Sequence, residues 1–371
     1  MNTAYQVNGL TFPFADEYYR ALTEVRPLAK VAALPVYEGA ALDVHASKTD
    51  DVTFVQFLGK FYEAALLLDV LRSAGKMRRI CSMLDIGSGP ALQPRVMKLT
   101  GHVGTVEAID IYDASRRCSD ALLTRHARKL QALYPLYRAQ KLIPGAIRKH
   151  VSLLKKLDDK WPLGVEDFGH YPDEQPYAKW FRSGPTLKTY HVGDVFAHRG
   201  RYDLVTSFMA LEYLDFEKLA AKVADLLEPG GLFGFLVSYW WYPINNTLLY
   251  GRFPYLLQQL APDEVMAYYK VVHPELPAEG IARRLYHSTQ LHPTIADYER
   301  IGYRQGLVPV KALRLHPNHK ANLRAVLGPL AIETLPGWNL ETVLTNARRI
   351  KTDLCLADLM TSHVLMLFEK R

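Results

Sequence analysis

Asp85, Asp110 and Asp194 each stand at or just past the end of a short apolar run, and the first leads directly into Ile86-Gly87-Ser88-Gly89-Pro90-Ala91. Gly87 and Gly89 allow backbone angles closed to other residues and let a ligand approach the main chain. Pro90 suits a first helical turn, where its missing N–H costs nothing. An apolar strand, a glycine turn and a helix start make a nucleotide-type cradle with N–H groups facing the ligand. The same pattern also builds an ordinary strand–helix connection. Asp110 ends the run Thr105–Asp110, where a carboxylate can accept from both ribose hydroxyls or cap a helix. The glycine turn upstream favours the ribose role. Asp194 follows Thr189–Val192 and can accept from an exocyclic amine such as that of adenine.

Glu212, Tyr239 and His191 fall near expected strand ends and are the candidate acid/base residues, although each also has a structural reading. His273, His287, His292, His316 and His319 show no ligand spacing, so no metal is expected. Trp240, Trp241 and Tyr242 come directly after a strand, where open α/β sheets bind ligands, with Asn245 close by. Such a cluster can stack on a flat or cationic substrate, or simply fill the core.

These residues need elements to hold them. The chain has 371 residues, 49% hydrophobic and 22% charged, which is a globular composition. Alternating strand and helix patterns between Ser82 and Ser238 predict a doubly wound α/β fold with a parallel sheet. Helices are expected over Phe14–Leu22, Phe54–Leu71, Pro90–Leu99, Phe216–Leu227, Thr294–Gly302 and Leu340–Leu359. Glu228-Pro229-Gly230-Gly231 reads as a helix stop before the strand Leu232–Ser238. Further strands are expected at Val308–Leu315 and Ser362–Phe368. The basic helix Ile147–Leu157 and the loop-rich stretch from Trp161 to Pro185 suggest a lid. Three cysteines without CxxC spacing, and a start that lacks a signal peptide, suit a cytoplasmic protein. The run Gly230–Ile244 is too short to cross a membrane. A net charge of +7 leaves an anionic partner open.

In this order, the pieces resemble the class I S-adenosylmethionine-dependent methyltransferases. The likeness is carried by Asp85-Ile86-Gly87-Ser88-Gly89-Pro90, Ala108-Ile109-Asp110, Gly193-Asp194-Val195 and Tyr202–Val205 with Leu227–Gly231. It covers roughly residues 75–240. A Rossmann dehydrogenase would need a third glycine where this chain has Leu92. The glycine stretch is also locally similar to small-amine N-methyltransferases, whose substrate does not transfer to this longer chain.

The resemblance implies a seven-stranded, mostly parallel sheet with an antiparallel last strand. Around it, the helical spacing predicts a helical N-terminal cover over 1–75, and the methyltransferase domain is expected over 76–371, with helical and loop insertions near 126–186, 239–293 and 317–360 that the resemblance does not reach. S-adenosyl-L-methionine is the implied cofactor. Gly87, Ser88 and Gly89 would approach its methionine portion and ribose, and Asp85 would hold the turn. Asp110 would bind the ribose, Ile111 would lie on adenine, Asp194 and Val195 would meet the adenine edge, and Ser207 and Phe208 would border the sulfonium. The expected partner is a small-molecule substrate, anionic or aromatic, with an N or O acceptor; a homodimer is left open. Methylation of RNA, protein, lipid or isoprenoid, and a non-catalytic scaffold, are the alternatives. No nucleic acid is expected, because Ser207-Phe208-Met209-Ala210 lacks the Asn/Asp-Pro-Pro-aromatic motif of base-amino methyltransferases.

Overall fold

The computed structural model describes residues 4–16, 18–20, 51–142, 181, 184–242, 252–274, 292–315 and 329–371. Of the expected lid only Phe181, Gly184 and Pro185 are among these, and Asn245 lies outside them; of the expected helix Phe14–Leu22, Asp16 and Tyr18–Arg20 are helical, while Glu17, Ala21 and Leu22 lie outside the described residues.

The chain begins with a β-hairpin, β1 (Ala4–Val7) and β2 (Leu10–Pro13), where a helical cover is expected. Asn8 and Gly9 both take positive φ, as a two-residue type I′ turn requires. Tyr5 meets the Tyr268 ring edge-on, and Phe12 packs on Phe253 and Trp338. Helix α1 (Phe54–Ser73) opens with a capping box between Thr53 and Gln56.

Next come β3 (Ile80–Ile86), α2 (Leu92–Leu99), β4 (Val103–Asp110) and α3 (Asp120–Leu142). They are followed by β5 (Thr189–Val192), β6 (Tyr202–Phe208), α4 (Phe216–Leu226) and β7 (Leu227–Ser238). The last part holds α5 (Pro262–Val272), α6 (Ile295–Arg304), β8 (Leu307–Leu315), α7 (Pro329–Glu333), α8 (Leu340–Ala347), α9 (Leu356–Met360) and β9 (His363–Lys370).

Seven strands form one sheet in the order β5-β4-β3-β6-β7-β9-β8. β5, β4, β3, β6 and β7 are parallel, and β9 runs antiparallel to both β7 and β8. This is the topology that the family resemblance implies. Each face of the sheet carries its own apolar layer. Phe57, Ala64, Leu68, Val96 and Leu123 of α1, α2 and α3 cover one face. Leu219, Val223 and Tyr298 of α4 and α6 pack with Phe233, Phe235 and Phe368 on the other. α6 can lie close because Gly302 has no side chain: a Cβ there would stand 2.6 Å from the Phe368 ring.

Three differences from expectation bear on how the elements are joined. α2 begins at Leu92 after a left-handed Ala91, so Pro90 belongs to the turn and not to the helix. Glu228-Pro229-Gly230-Gly231 is a bulge inside β7: Tyr202 pairs with Leu227, while Leu204 already pairs with Leu232. The single helix expected over Leu340–Leu359 is two. α8 stops at Ala347, and the Arg348 guanidinium donates to the carbonyl of Leu354, bracing the intervening turns. Among the described residues, no helix is long and apolar enough to cross a membrane.

Candidate functional site

Parallel pairing brings the C-terminal ends of β3, β4, β5, β6 and β7 to one edge of the sheet. The chain builds β4 and β5 on one side of β3, then returns to add β6 and β7 on the other. That reversal opens a crevice at the end of β3, where doubly wound sheets take their ligands. The glycine turn stands there.

The turn is closed from several sides. Asp85, 2% exposed, accepts hydrogen bonds from Ser88 Oγ at 2.6 Å and Thr206 Oγ1 at 2.6 Å. Burial pushes its carboxyl up to about 6, against the pull of those two hydroxyls. Asp85 thus ties Ser88 of the turn to Thr206 of β6. The backbone N–H groups of Gly87 and Ser88 both donate to the carbonyl of Ile109, and that of Gly89 donates to Asp110 Oδ2 at 2.7 Å. The expected cradle of unpaired N–H groups is therefore absent at these three residues, because the neighbouring strand β4 takes all of them. Tyr190, which sequence reasoning missed, places its hydroxyl 2.7 Å from the Gly89 carbonyl and 2.8 Å from that of Tyr112.

Gly87 (φ +67) must be glycine for packing as well as for its angle, since a Cβ there would lie 2.4 Å from Ala210 Cβ. The segment after β6, which carries Glu212, thus packs directly on the turn. Glu212 Oε1 accepts from the Ser238 N–H at 2.7 Å, while Oε2 is shut off from solvent with no hydrogen-bond partner among the described residues. Burial raises its carboxyl, which favours the protonated form. In that form Oε2 carries the proton and has no acceptor among the described residues; ionised, it has no donor, so either state leaves a buried polar atom unpaired.

Asp110 is half-buried; its Oδ1 also accepts from the Tyr112 N–H at 3.1 Å. Ile111 projects its apolar side chain outward, 57% exposed. Asp194 is exposed and caps a short 3-10 turn by accepting from the Phe196 N–H at 2.9 Å, with Val195 buried beneath. An acceptor at each strand end, an open apolar side chain at Ile111 and open space around Gly89 fit an adenosine bearing a methionine tail. A phosphate would need the N–H donors that the turn has already used.

The remaining predicted residues turn inward. Ser207 is fully buried and donates to the Ile86 carbonyl at 3.1 Å, and Phe208 packs in the core layer beneath α1, so neither side chain borders the crevice. The Tyr239 hydroxyl donates to Asp358 Oδ1 at 2.8 Å and accepts from the Ile295 N–H. Burial lifts that phenol far above its ordinary value, which removes it as a base at neutral pH. His191 binds Glu107 Oε2 at 2.9 Å on the edge of the sheet. Trp240, Trp241 and Tyr242 are core residues, 5%, 1% and 1% exposed, and Trp240 stacks on His292 with centroids 4.0 Å apart. Of the acid/base candidates, Glu212 alone stands against the glycine turn through its own segment.

No family model and no curated protein matches the chain. Many solved structures do. One is geranyl diphosphate C-methyltransferase from Streptomyces coelicolor, in complex with Mg2+, geranyl diphosphate and S-adenosyl-L-homocysteine. It is 13% identical with a TM-score of 0.38, covering 97% of this chain and 98% of that one. Another is the N-methyltransferase NodS from Bradyrhizobium japonicum, 10% identical, TM-score 0.32, covering 85% and 96%. A third is phosphoethanolamine N-methyltransferase 2 from Haemonchus contortus in complex with S-adenosyl-L-methionine, 13% identical, TM-score 0.37, covering 86% and 60%. The likeness is one of fold, and a loose one. The description of the site rests on the strand order and the contacts at the strand ends.

Proposed function

We propose that this chain is an S-adenosylmethionine-dependent methyltransferase acting on a small molecule at an N or O acceptor. One observation carries the reading: the glycine turn offers acceptors and space, not donors. Its N–H groups are tied to Ile109 and Asp110, while Asp85, Asp110 and Glu212 surround it with carboxyls. Such a site favours a cationic ligand with hydroxyl and amino donors over an anionic dinucleotide. Bound there, the cofactor supplies an electrophilic methyl group on a sulfonium.

The chain's own part is mostly positioning. Asp110 takes the ribose hydroxyls with its remaining lone pairs, Ile111 covers one face of the adenine, and Asp194 accepts from its amine. Holding acceptor and methyl donor in line is worth roughly 7–11 kcal/mol of barrier. Glu212, in its ionised form, takes a hydrogen bond or proton from the acceptor group through Oε2. Cys81, Cys118 and Cys355 are unpaired, which agrees with a reducing, cytoplasmic setting.

Calorimetry with S-adenosylmethionine and S-adenosylhomocysteine tests the cofactor. Asp110→Ala is expected to weaken both by at least tenfold while the protein stays folded, since two hydrogen bonds to a charged group are each worth about 1.5–3 kcal/mol. Unchanged affinity would show the ribose site to be elsewhere. A metabolite screen for S-adenosylhomocysteine release then identifies the acceptor.

A further inference from the structure

On the face of the sheet opposite α1, three segments bring two imidazoles and a carboxylate together at the β5 edge. Glu107 comes from β4, His191 from β5, and His198 from just past the 3-10 turn Val195–Ala197. One ligand atom from each lies within 4.8 Å of the other two. His191 Nε2 is 2.9 Å from Glu107 Oε2, and the two histidine rings face edge to plane with centroids 4.6 Å apart.

From this geometry we propose that Glu107, His191 and His198 form a binding site for one zinc-type divalent metal ion, ligated by Oε2 and the two Nε2 atoms. Two histidines and one carboxylate are a donor set that such ions favour, at about 2.0–2.2 Å from each ligand atom. Each imidazole carries its proton on Nδ1 when its Nε2 binds the ion. The surroundings supply the outer contacts that orient metal ligands. Lys188 Nζ holds Glu107 Oε1 at 2.7 Å, which leaves Oε2 for the ion. The Tyr202 hydroxyl stands 3.1 Å from Glu107 Oε2 and 2.9 Å from His198 Nε2, so it can turn from bridging these two to supporting the carboxylate. Lys222 Nζ anchors the backbone carbonyl of His198 at 2.6 Å. The His191 side chain is 32% exposed, which gives the ion a way in and a water-accessible fourth position.

The role that follows is structural. His191 and His198 bracket Gly193-Asp194, so an ion between them staples the Asp194 turn onto β4, whose end carries Asp110. The sequence expectation of no metal looked for histidines spaced along one element, whereas this set is assembled by pairing across the sheet edge.

The full-length protein, stripped by chelator and dialysed, is titrated with Co2+ by absorption and with Zn2+ by competition against a chromophoric chelator. The expected result is one ion per chain, d–d bands of a four- or five-coordinate Co2+ site, and a raised unfolding temperature. His191→Ala and His198→Ala each lower affinity at least 100-fold while melting cooperatively without metal. Glu107→Gln is the third arm. A His316→Ala/His319→Ala control binds as the wild type does, excluding the scattered histidines. Failure of micromolar Zn2+ to bind, or binding unchanged in the His191 and His198 variants, overturns the proposal and leaves a hydrogen-bonded cluster only. Neither readout needs methyl transfer, so this test stands or falls apart from the proposed activity.

Discussion

The contact between Gly87 and Ala210 allows a prediction in which one substitution should repair another. A Cβ added at Gly87 would stand 2.4 Å from Ala210 Cβ, against the roughly 3.5–4.0 Å of ordinary carbon contact. More than an ångström must be found by moving either the turn or the segment that carries Glu212. Overpacking of that kind costs about 1–3 kcal/mol. The residue must also keep a left-handed φ of +67, which costs a non-glycine roughly 1–2 kcal/mol more. Gly87→Ala should therefore lose about 2–5 kcal/mol. Adding Ala210→Gly removes the opposing Cβ and should return the overpacking share, leaving only the backbone share. Urea unfolding of the wild type, both single variants and the double variant, followed by tryptophan fluorescence, gives the coupling energy directly. A coupling of about 1–3 kcal/mol is expected. If the two changes simply add, the turn and the Glu212 segment do not touch as described, and the argument that places Glu212 at the crevice goes with them.

Other consequences follow from the buried polar groups. Asp85 has a folded-state value of about 6 against an ordinary 3.8, so the folded chain holds this proton more tightly than the unfolded one. Its contribution to stability is complete below the lower value and is lost as pH rises through the upper, on the order of 3 kcal/mol over the window. Asp85→Asn should flatten that part of the pH dependence in urea titrations; a wild-type slope retained by the variant would assign it to another group. Tyr239→Phe should cost about 1–3 kcal/mol by stripping Asp358 and the Ile295 N–H of a partner, with turnover per folded molecule unchanged. A selective loss of turnover would restore Tyr239 to the chemistry. Glu212→Gln should keep or raise the melting temperature above neutral pH, because it removes a poorly solvated charge, and should cut methyl transfer at least tenfold. Wild-type turnover in that variant would reduce Glu212 to a prop for the Ser238 N–H.

Much of the sheet is legible in the chain because its central strands β3, β4, β6 and β7 are largely buried and read as apolar runs. Tyr202–Phe208 and Thr189–Val192 are found at their observed limits, and β3 and β4 begin two residues earlier than read. The acidic strand ends are legible too, since Asp85 and Asp110 sit at fixed positions around a glycine turn. What the chain hides are contacts made across strands. Tyr190 clamps Gly89, and Glu107 meets His191, because β5 pairs with β4 in one register, while Tyr202 reaches Glu107 from β6 across β3. The apolar spacing Val343, Leu344, Ala347, Ile350 and Leu354 continues through a helix break, because turns can also point a residue inward; Leu354 is fully buried. The N-terminal hairpin is a different case. Asn8-Gly9 between Tyr5-Gln6-Val7 and Leu10-Thr11-Phe12 is a type I′ signal visible in the sequence, and a helical bias over this region conceals it.

The place of β9 has a consequence for how the molecule comes into being. Residues 363–370 fill a slot between β7 and β8, and the side chains from His363 to Phe368 are all buried there. Among the described residues every other strand of the sheet is made first during synthesis, and β8 pairs with β9 alone. Until residue 370 clears the ribosome, β7 and β8 each present an open hydrogen-bonding edge to the cell. Closing the sheet then requires one late strand to insert between two partners far away in the chain, a slow, high-contact-order step. A nascent chain stalled just before residue 363 should therefore be a strong client for chaperones, and its release should set the pace of maturation.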